Sequence, residues 1–339
     1  MVFTTPAVAA LRRRFPDAHI SYLVEPAAAP VVAGNPHIDR VIVAPRQRGV
    51  SGALADVRLG LQFRREKYDL VIDFHGGPRA SLLTWLTGAP ERVGYEIVGR
   101  GWMYTRRVGR PRVLRPRHSV ENQWDLIADL GAGPPDRDRW PVEMPPDPEA
   151  VATVADRLAR AGVGAGDRVI VVHVSAGNPF RRWPIDSFVE LVSGLASADS
   201  NWRIVVTSGP SEQAAAARVI ADARARLMAD AQGRVLACGE FSLAELRALV
   251  DRAALYIGGD SGPLHIAATT RAPIVGLYGP TLPARSAPWR SSALVAVAVD
   301  AGDLPCRPCD QRRCEPGDFR CLTSITPQQV LDAAIKCLR

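Results

Sequence analysis

The chain has 339 residues, enough for two ordinary domains. With 47% hydrophobic and 23% charged residues it has the balance of a folded globular protein, and no apolar run approaches the ~20 residues of a bilayer span. The net charge of +7 favours acidic ligands, but only 6% of residues are aromatic and no basic–aromatic RNA-binding motif occurs, so nucleic acid is not expected as a partner.

Taken in order, Val2-Phe3-Thr4-Thr5-Pro6 leads straight into a helix over 7–15 that ends on Arg12-Arg13-Arg14, cations suited to a helix C-terminus. A turn at 16–18 and strands over 19–24 and 41–43 follow. An α/β domain ordinarily opens on a strand, whereas this one opens on a helix. Residues 68–77 read as a strand entering a glycine loop with Phe74, His75 and Gly76, then a helix over 79–86. His75 is either a cleft residue or a loop histidine bonded to backbone. Residues 100–118 carry seven arginines and His118, and their prolines and glycines argue for an irregular loop. Arginine forks match phosphate and carboxylate, although a solvated basic loop accounts for most of them. A helix is expected from Ser119 to Leu130, stopped at Gly131, and the proline-rich 133–148 is the linker.

The second half alternates strand and helix, as a doubly wound sheet does. A helix over 149–161 precedes a strand over 168–174. The next loop, Ser175-Ala176-Gly177-Asn178-Pro179-Phe180-Arg181-Arg182, combines glycine with two arginines before a helix, a phosphate-site pattern. The strand over 203–207 is followed by Glu212, a carboxylate placed to accept from ribose hydroxyls or to favour a helix N-terminus. A strand at 235–237 and a capping box, Ser242 to Glu245, come next. Residues 253–283 then form strand, glycine loop, helix, strand, glycine loop: a βαβ unit with both loops at the strands' C-terminal ends, where open α/β sheets bind ligands. Asp260, Ser261, Gly262 and His265 stand at the first mouth and Thr281 at the second. Glycine amides and the helix start suit an anion, a diphosphate above all, although the glycines also suit plain tight turns.

The stretch GGDSGPLHIAA followed by GLYGPTLP resembles the nucleotide-sugar motif of the ADP-heptose:lipopolysaccharide heptosyltransferases, glycosyltransferase family 9. The resemblance covers nearly the whole chain. It implies an α/β fold of the GT-B type, two Rossmann-like doubly wound domains facing across a cleft. The expected divisions are 1–148 on the acceptor side, 149–322 binding the nucleotide-sugar, and a last helix, 323–339, crossing back. It implies donor contacts from Ser175, Ala176, Arg181, Glu212, Asp260, Ser261, Gly262, His265 and Thr281, and acceptor-side contacts from Thr4, Thr5, Phe74, His75, Gly76 and His118. Arg181 stands where the family usually has a lysine, and Val174 and Ser175 where proline and glycine are usual. In the family a strand ending Gly-Asp precedes the residues matching 2–7, and its aspartate is the proposed general base. No residue here matches it, so an upstream start is expected in preference to a truncated protein.

The implied reaction is inverting, metal-independent transfer of a heptose or related sugar from an ADP-sugar to a lipopolysaccharide (Kdo–lipid A) acceptor. No cofactor and no stable protein partner are expected. The setting is cytoplasmic, or peripheral on the inner face of the inner membrane. The rivals are a non-catalytic or truncated nucleotide-sugar-binding homologue, a transferase with another nucleotide-sugar, and a nucleotide-sugar epimerase. A dehydrogenase would show Gly-x-Gly-x-x-Gly after its first strand, which is not seen. Cys306, Cys309, Cys314 and Cys321 crowd together with spacing that permits zinc, yet in a turn-rich loop; metal is not expected at the site.

Overall fold

Helices and short parallel strands fill residues 1–47, 49–109, 117–174 and 176–339, the part of the chain that the computed structural model describes. They divide into two units, 3–136 and 137–339.

The first unit begins with α1 (Thr5–Arg14), which buries Ala7 to Ala10 and closes on three arginines. β1 (Ser21–Val24), α2 (Ala29–Val32) and β2 (Arg40–Val43) make a parallel pair. α3 (Gly49–Glu66), which no sequence expectation named, precedes β3 (Leu70–Ile72). α4 (Pro78–Leu86) connects β3 to β4 (Glu91–Tyr95), and β5 (Arg106–Val108) completes a parallel sheet ordered β3-β4-β5. Val93, Tyr95 and Leu126 form its core with Phe74 and Ile97 packed against them.

Two local expectations are corrected here. Part of the basic 100–118 stretch is strand, not loop: β5 pairs with β4 from Val93↔Arg106 to Tyr95↔Val108, and Glu91 neutralises Arg106 at 3.0 Å. Residues 110–116, with Arg110, Arg112 and Arg115, lie outside the described residues. The helix expected over 119–130 stops early, as α5 (Ser119–Trp124). The interruption lets Leu126 enter the core, and a short 3-10 turn, Ala128–Leu130, ends on Gly131 at φ +78°.

In the second unit α6 (Pro148–Arg160) is capped by Asp147, whose Oδ1 accepts from the amides of Glu149 and Ala150. β6 (Arg168–His173), α7 (Ile185–Ala198), β7 (Trp202–Thr207), α8 (Gln213–Ala225), α9 (Ala229–Gln232) and β8 (Val235–Leu236) run outward in one direction. After α10 (Leu243–Asp251) the chain returns to the middle as β9 (Leu255–Gly259), beside β6. α11 (Gly262–Ala267), β10 (Ile274–Tyr278), α12 (Pro283–Ser286) and β11 (Ala296–Asp300) run outward the other way. α13 (Arg320–Thr323) and α14 (Pro327–Leu338) close the chain, with α14 packed on α7 and the β9–β11 strands.

The sheet is therefore β8-β7-β6-β9-β10-β11, all parallel. Central strands of such a sheet are covered on both faces and must be apolar throughout. β9 and β10 are buried at every position. Ile170, Val172, Ile204, Leu255, Ile257, Val275 and Leu277 face Phe188, Leu191, Leu195 and Val219, together with Val330 and Ala334 of α14. Burying so many large side chains, at about 1.5–3 kcal/mol each, is what holds the unit and fixes the strand ends.

Candidate functional site

The strand order reverses direction between β6 and β9. Loops leaving adjacent strands at such a point diverge and open a crevice at the C-terminal edge. The loop after β6 carries Arg181 and the loop after β9 carries Asp260 and Ser261. The flanking loops after β7 and β10 carry Glu212 and Thr281.

Arg181 ends a one-turn 3-10 helix, Pro179–Arg181, capped by Asn178 Oδ1 accepting from Phe180 N at 3.0 Å. Its Nη1 donates to the Asp260 carbonyl at 3.0 Å and lies 3.2 Å from Asp260 Oδ2. His265 Nε2 is 3.6 Å from the other Asp260 oxygen. Asp260 is buried, and neither carboxylate oxygen receives a hydrogen bond among the described residues. Ser261 Oγ is likewise buried with no partner among them. Buried polar atoms are ordinarily satisfied, so this pair marks a place where a polar ligand or water belongs.

One residue that sequence reasoning did not name ties these loops together. Gln311 Oε1 accepts from Arg181 Nε at 2.7 Å and from Asn178 Nδ2 at 2.8 Å, and its Nε2 donates to Thr281 Oγ1 at 3.4 Å. Gln311 adopts φ +60°, a conformation that is costly for a residue with a Cβ and is kept only where surroundings enforce it. It belongs to the cysteine-bearing loop, far along the chain from Arg181. A position set by tertiary contact leaves no local pattern to read.

The glycines divide between packing and openness. A Cβ on Gly258 would stand 2.7 Å from the Tyr256 hydroxyl, and one on Gly276 2.9 Å from the Tyr278 ring, so both rings lie along their own strands. A Cβ on Gly279 would meet Leu322 at 2.5 Å. These three glycines serve close packing, the plain structural option. Gly262, at the start of α11, has nothing within 4 Å of its would-be Cβ and is open to a ligand.

Glu212 is buried, and its Oε1 accepts from Arg182 Nη2 at 2.7 Å. Arg182 Nε also donates to the carbonyl of Ala176, itself buried, at 2.9 Å, so the ion pair links the loops after β6 and β7. Ser175 lies outside the described residues. At the end of β6, His173 is buried with Nδ1 2.9 Å from Thr207 Oγ1. Burial lowers its pKa to about 4, against the opposing pull of Glu212, so the ring is neutral at pH 7.

In the first unit the residues expected on the acceptor side form two groups. Asp73 Oδ1 accepts from the amides of His75 (2.9 Å) and Gly76 (2.8 Å), and its Oδ2 accepts from the Tyr104 hydroxyl at 2.6 Å. That carboxylate shapes the loop after β3. Gly76 is at φ +69°, Phe74 packs into the sheet core, and His75 is exposed with Nδ1 accepting from Gly77 N. In the other group, Thr4 and Thr5 are buried at the start of α1, with Thr4 Oγ1 2.6 Å from the Tyr22 hydroxyl. His118 is a helix cap: its Nδ1 accepts from Val120 N at 3.1 Å, which puts the proton on Nε2, and its ring meets Phe3 edge-on. Arg117 forks onto Asp125 at 2.6 and 2.7 Å.

Among the described residues no three His, Cys, Asp or Glu side chains are grouped to hold a metal ion. The cysteines are free thiols, and burial followed by the charges of Cys306 and Cys309 pushes Cys321 up to about 11. The linker does contain an Asp-x-Asp pair, Asp136 and Asp138, but Asp138 is taken up by Ser291 and Ser292.

Residues 57–317 match the family model of glycosyltransferase family 9 (heptosyltransferase). The chain is 27% identical over 316 residues to lipopolysaccharide heptosyltransferase 3 of Escherichia coli, covering 92% of this chain and 89% of that one. It superposes on the crystal structure of a family 9 glycosyl transferase from Veillonella parvula with a TM-score of 0.84 at 23% identity, over 99% of this chain and 93% of that one. For the E. coli ADP-heptose lps heptosyltransferase II structure the TM-score is 0.76 at 20% identity, over 100% and 95%.

Proposed function

The chain belongs to glycosyltransferase family 9 and has the GT-B fold, and from that membership we propose that it transfers a heptose or related sugar from an ADP-sugar to the inner core of lipopolysaccharide. The observation that carries this reading is the meeting of Arg181, Asp260, Ser261 and Thr281 around the strand-order reversal, with buried polar atoms left over for a ligand.

Sugar transfer leaves a nucleoside diphosphate whose growing charge must be stabilised. Arg181, turned toward Asp260, presents the rest of its guanidinium to a diphosphate, and the open amide end of α11 at Gly262 supplies partial positive charge. These groups supply the charge stabilisation that a divalent cation otherwise gives, and the reaction is read as metal-independent. Glu212, which Arg182 holds in the turn after β7, is assigned to the ribose hydroxyls. The loop after β3, with His75 and Gly76, is assigned to the acceptor side.

A donor screen tests the reading: ADP-heptose, UDP-sugars and GDP-sugars are each offered with Kdo–lipid A, with and without EDTA. Transfer from ADP-heptose unaffected by EDTA is expected. Transfer only from another nucleotide-sugar removes the heptose assignment. Tight ADP-heptose binding without transfer identifies a binding protein instead.

A further inference from the structure

A row of large apolar side chains runs along the outside of α3: Val50, Leu54, Val57 and Leu61 are 80%, 53%, 40% and 50% exposed. Spacings of four, three and four residues put them on one face of the helix. Another face fastens the helix to its unit. Gly52, Gly60 and Phe63 are buried, Asp56 meets Arg79 at 2.8 Å, and Leu86 of α4 fills the space beside Gly60. Packing explains that face and leaves the outer row exposed among the described residues, and aligned exposure of four such residues marks an interaction surface.

Charge selects the occupant. Arg58, Arg64, Arg65 and Lys67 are exposed on the same helix and the residue after it, and none is held by a carboxylate among the described residues. By helical position Arg58 and Arg65 border the row on one side and Arg64 on the other. A second copy docked row to row would set these cations beside the seam, where like charges repel. An anionic bilayer surface answers both features: the row enters the boundary between headgroups and acyl chains, and the guanidinium groups reach lipid phosphates. No helix among the described residues is long and apolar enough to cross a membrane, so this one lies on the surface and does not span it. Trp85, exposed and 5.4 Å between ring centroids from the exposed Trp102, directly precedes Leu86, which packs beside Gly60 of α3; tryptophan suits a bilayer interface.

We propose that α3 is a membrane-surface anchor, seating Val50, Leu54, Val57 and Leu61 in an anionic leaflet with its arginine border on the phosphates. The proposal does not depend on which sugar is transferred.

Vesicle flotation of the full chain tests it, with phosphatidylcholine alone and with phosphatidylcholine mixed with phosphatidylglycerol. Flotation with the anionic vesicles, weakened by salt, is expected. Leu54→Ser with Leu61→Ser should lower partitioning at least about tenfold, and Arg58→Gln with Arg65→Gln by a smaller factor. These side chains are exposed, so Tm should not move; if it does, Val50→Ser, at the most exposed position, must still weaken flotation. Three results overturn the proposal: no flotation, equal flotation with neutral vesicles, or flotation indifferent to the leucine changes. A dimer in sedimentation that the leucine changes dissolve also overturns it and gives the row to a second copy.

Discussion

On the proposed reading Arg181 has two jobs that compete. Its guanidinium balances the buried Asp260 carboxylate, and the same group is the cation proposed for a diphosphate. Arg181→Ala should weaken ADP binding by about 1.5–3 kcal/mol in calorimetry, the range for a charged hydrogen bond. Unchanged affinity would remove Arg181 from the site. Gln311 fixes how that guanidinium points, so Gln311→Ala should weaken ADP binding in the native background and have little further effect once Arg181 is alanine. Additive losses would mean that Gln311 acts elsewhere. His173 gives a pH signature. Its pKa lies below the ordinary 6.5, so the unfolded chain takes up a proton first as pH falls, and stability from its neutral burial is lost between about 6.5 and about 4. Urea unfolding should show this residue removing about 2 kcal/mol between pH 7 and pH 5, and His173→Gln should flatten that part of the profile. Motif residues such as Asp260 and Arg181 are legible in the sequence because they sit in short loops next to glycine. Gln311 and the Arg182–Glu212 pair are not, since both depend on which strands the fold makes neighbours.

At the level of elements, the glycine loops separate packing from binding. Gly279→Ala sets a methyl group against Leu322 of α13 and should cost about 1–3 kcal/mol in urea unfolding. Gly262→Ala meets nothing, so stability should hold within about 0.5 kcal/mol while ADP binding weakens if the open amide end of α11 is where the diphosphate rests. Equal ADP affinity would move the diphosphate away from α11. The strands of the second unit are readable in advance because a doubly covered sheet demands unbroken apolar runs, and those runs are there. α3 has a readable helical period in Val50, Leu54, Val57 and Leu61, but the period misleads about its packing, because those residues point outward and the inward face is built on Gly52, Gly60 and Phe63. α5 is overestimated because residues 125–130 have helix-compatible composition, and only the pull of Leu126 into the sheet core breaks the run.

For the whole molecule, the two units divide the work by chemistry. The second holds the proposed donor groups and the first the proposed acceptor loop. A nucleotide at 100 times its Kd should stabilise the unit that binds it by about 2.7 kcal/mol. Hydrogen exchange with ADP should therefore slow in the loops after β6, β9 and β10 and leave β3 to β5 unchanged. Protection centred on β3 to β5 would reverse the assignment. The reversal of strand order between β6 and β9 has a longer consequence. The groups proposed to meet a donor hang from the rim of the sheet, while the residues that keep it folded lie below in the strands and helices. On the proposed reading, exchanging open rim residues such as Gly262 would change what is recognised without disturbing that foundation. Descendants of such a scaffold can therefore alter their choice of nucleotide or sugar by few substitutions, long before their stability is at risk.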